Sequence, residues 1–292
     1  MRLRIDLRPT AVMFHRIAIV THPFLPDAPI VAREIGAFLE TQGVSVSHGQ
    51  IYDETLQADL AAGRHDLWIA LGGDGTMLRC GQLCGPAEVP VLGINMGRLG
   101  FLIGVQREEW PERLPRLFTG DFWLEPRMML QAVHQRRGAV RGTWDVLNEA
   151  IVSRGDIVRP VQLETFLDGS ALTTYHADGL IAATPTGSTA YALAAGGPIL
   201  PPQLRNFLIV PIAAHLSFSS AIVLAEDSVV TVRVHTLHKA TLSLDGQATI
   251  PLKDRDEIIV RASKHTVRFV RLQEKDYFYR NLTSKMNANL DS

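Results

Sequence analysis

Cysteine is nearly missing from this chain: Cys80 and Cys84 are the only two in 292 residues. Two thiols alone cannot supply a cysteine zinc site, and the count excludes a disulfide framework. A reducing compartment, the cytoplasm, is the expected setting. Their four-residue spacing puts both on one face of a helix, where packing is their ordinary role. A surplus of either charge is missing too. Twenty-nine Lys and Arg stand against 30 Asp and Glu, a formal net charge of −1. No basic stripe or cluster stands out, which argues against nucleic acid as the main partner. The opening residues, Met1 to Arg8, lack the apolar core of a signal peptide. Residues 207–225 contain no Asp, Glu, Lys or Arg, a run long enough on paper to span a bilayer. Pro211, His215, Ser217, Ser219 and Ser220 interrupt that run, so two buried strands with a short connection are expected instead. No internal repeat, low-complexity tract or disordered linker is present.

What the chain does have is core material: 46% hydrophobic residues, enough for one large domain or two ordinary ones. The first part alternates strand and helix patterns. Apolar runs at 17–21, 44–46, 67–71 and 90–94 read as strands. Val31, Ile35, Phe38 and Gln42 share one helical face, and Gly43 is a stop signal. Such alternation implies a parallel sheet with right-handed crossovers. The pattern changes near Leu124-Glu125-Pro126. After it, two pairs of strand-like runs flank Asp168-Gly169 and Asp245-Gly246, which read as hairpin turns rather than catalytic carboxylates.

Three constellations carry chemistry. In the first, the buried run 67–71 leads into Gly72-Gly73-Asp74-Gly75-Thr76. Glycines there let the backbone approach a phosphate, and Asp74 falls at the carboxyl end of a strand, where open α/β sheets bind ligands. The spacing fails the dinucleotide fingerprint at its last glycine, Leu78 standing there, and no Lys follows as in a P-loop. Alone, the stretch fits a phosphate cradle or a plain turn. In the second, Asn148-Glu149 lies inside the apolar run 146–152 and requires polar partners. A ligand with adjacent hydroxyls, such as a ribose, satisfies both; an internal polar network is the other reading. The third is the segment 176–198, in which small and hydroxyl residues crowd a turn before a short Ala-rich helix closed by Gly196-Gly197-Pro198. Free amides there suit an anion, and Tyr191 offers a flat face to a base.

Together these segments resemble the NAD kinase family, from about His15 to about Lys285. Gly72–Thr76, Asn148-Glu149, and Asp178-Gly179 through Gly197 are similar to its three signatures, and Leu92 through Leu102 to a further family segment. The first signature is shared with diacylglycerol and sphingosine kinases and, more loosely, phosphofructokinases. The resemblance implies an α/β N-terminal domain with a parallel sheet (14–125, diacylglycerol kinase/phosphofructokinase-like). It implies a β-rich, β-sandwich-like domain (126–275), and a tail (276–292) packing back on the first domain. It implies transfer of a phosphoryl group from ATP, with Mg²⁺ arriving on the nucleotide, to the 2′-hydroxyl of the adenosine ribose of NAD, giving NADP. Asp74 would be the general base and Gly72, Gly73, Gly75 and Thr76 the phosphate cradle. Asp74, Gly75, Asn148, Glu149, Arg159, His176, Asp178, Thr189, Ala190, Tyr191, Ala192, Leu193, Ala194 and Gln247 would bind NAD between the domains; Arg79, on the first turns of the helix after Asp74, reads either as a further NAD-binding contact to a phosphate or as a plain helix-surface arginine. No resident metal site, nucleic acid or membrane partner is implied; a homodimer or homotetramer is, with Asp178 near a neighbouring subunit.

Two departures stand out. Where the family usually shows Pro-His and then Arg-Pro, this chain has Ala214-His215 and Ser220-Ala221. About a dozen residues precede Phe14, which makes Met13 a candidate start. Two other readings stay open: a lipid kinase of the diacylglycerol type, and a non-catalytic NAD(H)-binding regulator.

Overall fold

The computed structural model describes residues 14–97, 100–155, 159–215, 218–280 and 282. Met13, Arg98, Leu99, Ser217 and most of the tail lie outside the described residues. The chain divides into two compact units, Met1–Glu125 with Arg268–Ser292, and Pro126–Val267.

The first unit runs β1 (Arg16–Thr21), α1 (Ala28–Thr41), β2 (Ser45–Gln50), α2 (Glu54–Ala61), β3 (Leu67–Gly72), α3 (Asp74–Cys84), β4 (Val91–Asn95) and β5 (Val105–Gln106). The strands are parallel in the order β4-β3-β1-β2. β3 is buried at every position, as a strand covered on both faces requires. α1 turns Val31, Ile35 and Leu39 into the core and ends before Gly43, whose φ of 78° suits glycine. α2 lacks a clear apolar stripe and starts on its cap: Asp53 accepts from the amides of Thr55 and Leu56. Cys80 and Cys84 are both buried in α3, and burial pushes the Cys80 thiol up to about 12, so both are packing residues.

The chain enters the second unit along β6 (Trp123–Arg136) and leaves it along the last strand, β17. Between them lie β7 (Ala139–Val146), β8 (Glu149–Arg154), β9 (Val161–Leu167), β10 (Ser170–Ala177), β11 (Gly179–Ala183) and β12 (Phe207–Ile212). There follow β13 (Ile222–Leu224), β14 (Val230–His235), β15 (Ala240–Leu244) and β16 (Ala248–Leu252), before β17 (Glu257–Arg271). One antiparallel sheet has the order β13-β12-β11-β8-β15-β16. Its Val152, Leu180 and Leu242 share a core with Leu163, Tyr175, Val232 and Ile258 of the facing strands. That is sandwich packing. The other face, Ile151, Ile181 and Leu208, is covered by Ala192 from the short helix Tyr191–Ala194. The uncharged run 207–225 folds as two strands, Phe207 pairing with Leu224. Among the described residues no helix is long and apolar enough to cross a membrane.

Candidate active site

Each unit presents one polar constellation. In the first, the strand order makes the chain step from β1 outward to β2, then back across β1 to β3. The point of reversal lies between the carboxyl ends of β1 and β3, the crevice in which open α/β sheets bind ligands. Gly72-Gly73-Asp74 stands on one side of it. Gly73 caps α3 in extended conformation and Asp74 is the first helical residue. The Asp74 carboxylate accepts the amides of Phe101 at 2.6 Å and Leu102 at 3.0 Å. Those two bonds leave part of its acceptor capacity, roughly four lone-pair sites, for a ligand. A Cβ on Gly100 would stand 2.2 Å from Asp74 Oδ1, so only glycine lets this loop close on the carboxylate. Arg271 holds the loop from behind: Nη1 donates to the Leu102 carbonyl at 2.7 Å and Nε to Glu125 Oε2 at 2.7 Å. The Tyr277 hydroxyl donates to the same Glu125 oxygen at 3.1 Å.

The predicted cradle residues separate into two pairs. Gly73 and Gly75 face open space, whereas Gly72 is buried beneath the Thr76 side chain. The Thr76 amide donates to the Gly73 carbonyl at 3.0 Å; those of Asp74 and Gly75 come too early in α3 to have a helical acceptor, so an anion can take them. Arg79 lies further along α3 with Nη1 3.4 Å from Gln82 Oε1; its Nε is buried without a hydrogen-bond partner.

In the second unit, Leu147-Asn148 forms the turn from β7 to β8 and Glu149 opens β8; both are held by a residue whose local pattern signals only a hairpin. Asp245 accepts the amides of Leu147 at 2.8 Å, Asn148 at 2.8 Å and Glu149 at 2.9 Å. Thr184 donates its hydroxyl to the Leu147 carbonyl at 2.6 Å and its amide to that of Asn148. A Cβ on Gly187 would meet the Asn148 carbonyl oxygen at 2.2 Å, which fixes glycine there. Glu149 is 6% exposed, and its Oε2 is buried with no hydrogen-bond partner. Burial, with the Asp245 charge beside it, pushes its carboxyl up to about 8.

Glu149, Asp178 and Tyr191 line one cavity of about 510 Å³. Arg154, Ser153 and Ser243 line it as well, residues that sequence reasoning missed. Arg154 Nε lies 2.9 Å from Asp178 Oδ1. Arg159, His176 and Gln247 are exposed and do not line that cavity, and Thr189 is partly buried. Within 189–194 only Tyr191 reaches it; the Ala192 side chain points into the core instead. In the departing segment, Ala213 takes a left-handed φ of 47° and the His215 amide donates to the His176 carbonyl at 2.7 Å.

A strand-end glycine cradle with an amide-held, partly exposed carboxylate, together with a second unit that carries a carboxylate pocket, fits a phosphotransferase. Residues 17–122 match the ATP-NAD kinase N-terminal domain, and residues 147–272 the ATP-NAD kinase C-terminal domain. An NAD kinase of Chloroflexus aggregans is 42% identical over 95% of this chain and all of its own length. One of Dehalococcoides mccartyi is 34% identical over 96% of this chain and 99% of its own. Among solved structures, yeast NADH kinase complexed with NADH aligns with a TM-score of 0.81 at 25% identity, covering 94% of this chain and 87% of that one. An NAD kinase from Archaeoglobus fulgidus in complex with ATP aligns with a TM-score of 0.73 at 26% identity, covering 94% and 99%. The chain belongs to the NAD kinase family.

Proposed function

We propose that this enzyme transfers the terminal phosphoryl group of ATP to the 2′-hydroxyl of the adenosine ribose of NAD, producing NADP, with Asp74 as general base. The observation that carries this is the Asp74 carboxylate: it is fixed by two amides at the mouth of the strand-end crevice, beside glycines open to a phosphate. A positioned base supplies about 10²–10⁴-fold. The rest is positioning and charge neutralisation, with Mg²⁺ entering on ATP as part of the substrate. The unpartnered Glu149 Oε2 and the adjacent Asn148 supply polar groups for ribose hydroxyls. Tyr191, half exposed on the same cavity, offers its ring to a base.

The experiment is a coupled assay with NAD, ATP and Mg²⁺, in which an NADP-specific dehydrogenase reads the product. NADP formation that vanishes in Asp74→Asn supports both the reaction and the base. No product, with NAD still bound in calorimetry, favours the regulator reading, whose motive is the altered segment Ala214-His215 to Ser220-Ala221. Parallel assays with NADH and with polyphosphate define the acceptor and donor range. A homo-oligomer with Asp178 near a neighbouring subunit belongs to the same proposal, and sedimentation equilibrium tests it.

A further inference from the structure

The acceptor side of the reaction has candidate residues; the donor's base has none. The carboxyl edge of the parallel sheet carries a largely exposed aromatic group. His22 and Phe24 follow β1, and Tyr52 follows β2. The His22 ring stands 5.4 Å from Phe24 and 6.4 Å from Tyr52, the second contact edge-on. Phe24 is 84% exposed and Tyr52 56%. Large apolar rings left in water are informative when they cluster.

Their address is the second observation. Thr21 pairs with Leu71 and with Gln50, so the loops after β1, β2 and β3 leave the sheet at one level. His22 lies across the reversal point from Gly72. Adjacent strands stand about 5 Å apart, which puts Tyr52 roughly 10 Å along the edge from the glycine cradle. That span suits a triphosphate and ribose between a cradle and a base. Open glycines stand at one end of this edge, and a cluster of tilted, largely exposed rings stands at the other.

Resting on the phosphotransfer reading above, we propose that Phe24, His22 and Tyr52 form the stacking platform for the base of the donor nucleoside triphosphate, whose phosphates lie on the amides after Gly73. A π-face binds any base by stacking, so the platform selects nucleotides over bare polyphosphate and discriminates weakly among bases.

The test uses the full chain and the variants Phe24→Ala, Tyr52→Ala and Tyr52→Phe. Steady-state assays give KM for ATP and for NAD separately, and calorimetry gives binding of MgADP and of magnesium pyrophosphate. Each alanine variant is expected to raise KM for ATP and Kd for MgADP about tenfold. KM for NAD and pyrophosphate binding stay within about twofold, and Tyr52→Phe restores ATP binding. NADP formation with KM for ATP unchanged in both alanine variants overturns the platform. So does an equal rise in both KM values, which makes the rings a support of the fold or a part of the acceptor site. Should the native chain make no NADP, the phosphotransfer reading fails. The platform then stands or falls on MgADP binding alone.

Discussion

Two aspartates in this molecule do the same thing with opposite consequences. Asp74 and Asp245 both sit beside glycine, and both gather backbone amides from a distant part of the chain: 101 and 102 in one case, 147 to 149 in the other. Asp74 is partly exposed, begins a helix and has open space at the neighbouring Gly73 and Gly75. Asp245 is 6% exposed, holds a left-handed φ of 49° and gives its carboxylate to three amides. Amide bonding therefore does not by itself tell the proposed base from a supporting carboxylate. Remaining access does: a base needs a lone pair that a substrate can reach.

Asp74→Asn breaks the comparison most sharply. Its amide keeps one acceptor and turns a donor toward the Phe101 or Leu102 N–H, costing about one hydrogen bond, roughly 1 kcal/mol. Tm should fall by only a few degrees, whereas turnover falls about 10²-fold or more. Near-native turnover removes Asp74 from the base role. Gly100→Ala attacks the same carboxylate without touching it. A methyl 2.2 Å from Oδ1 forces the loop or the aspartate aside. Turnover should drop about 10-fold to 10²-fold, since positioning is what the loop provides. Unchanged kinetics would show that the loop takes another position during the reaction.

Asp245→Ala should invert that pattern. Three amides, two of them buried, lose their acceptor at about 1–3 kcal/mol for each buried one before relaxation, so Tm falls well beyond that of Asp74→Asn. KM for NAD rises as the Leu147-Asn148 turn loosens, and kcat changes less than KM. A variant with native Tm and KM would sink the clasp assignment.

Asp74 is legible in the sequence and Asp245 is half legible, for physical reasons. Three glycines around a carboxylate after a buried apolar run mark a place where something must approach the backbone closely. Asp-Gly between two alternating runs is fully accounted for by a hairpin, and the structure contains that hairpin between β15 and β16. The second role of Asp245 depends on amides 96 to 98 positions earlier, which no local pattern encodes. Glu125 and Arg271 are hidden for the same reason: charges in strands read as surface, yet these are 0% and 2% exposed because they pair. The four parallel strands are readable from apolar runs; α2 is not, because it rests on a cap rather than on periodicity. The aromatic group at His22, Phe24 and Tyr52 joins loops after different strands, so it becomes visible only once the strand order is known.

The finest distinction lies between Asp245 and its neighbour Glu149. The carboxyl of Glu149 is raised from 4.5 to about 8 by burial first and by the Asp245 charge second. A folded-state value above the unfolded one means that the native chain holds more protons between those limits. Stability from this group is therefore full below about pH 4.5 and falls as pH rises toward 8, levelling above it. Glu149→Gln, which cannot ionise, should lack that decline. Urea unfolding of both proteins at several pH values across this window gives a difference curve that measures the group directly. A sloping difference that levels near pH 8 supports a neutral, buried Glu149 waiting for a hydroxyl partner. A flat difference would mean that Glu149 ionises in the native state as it does in the unfolded one, and that water or a cation already serves its free oxygen. Adding NAD at saturation sharpens the reading. If ribose hydroxyls donate to Oε2, they stabilise the carboxylate, lower its pKa and shift the levelling point to lower pH.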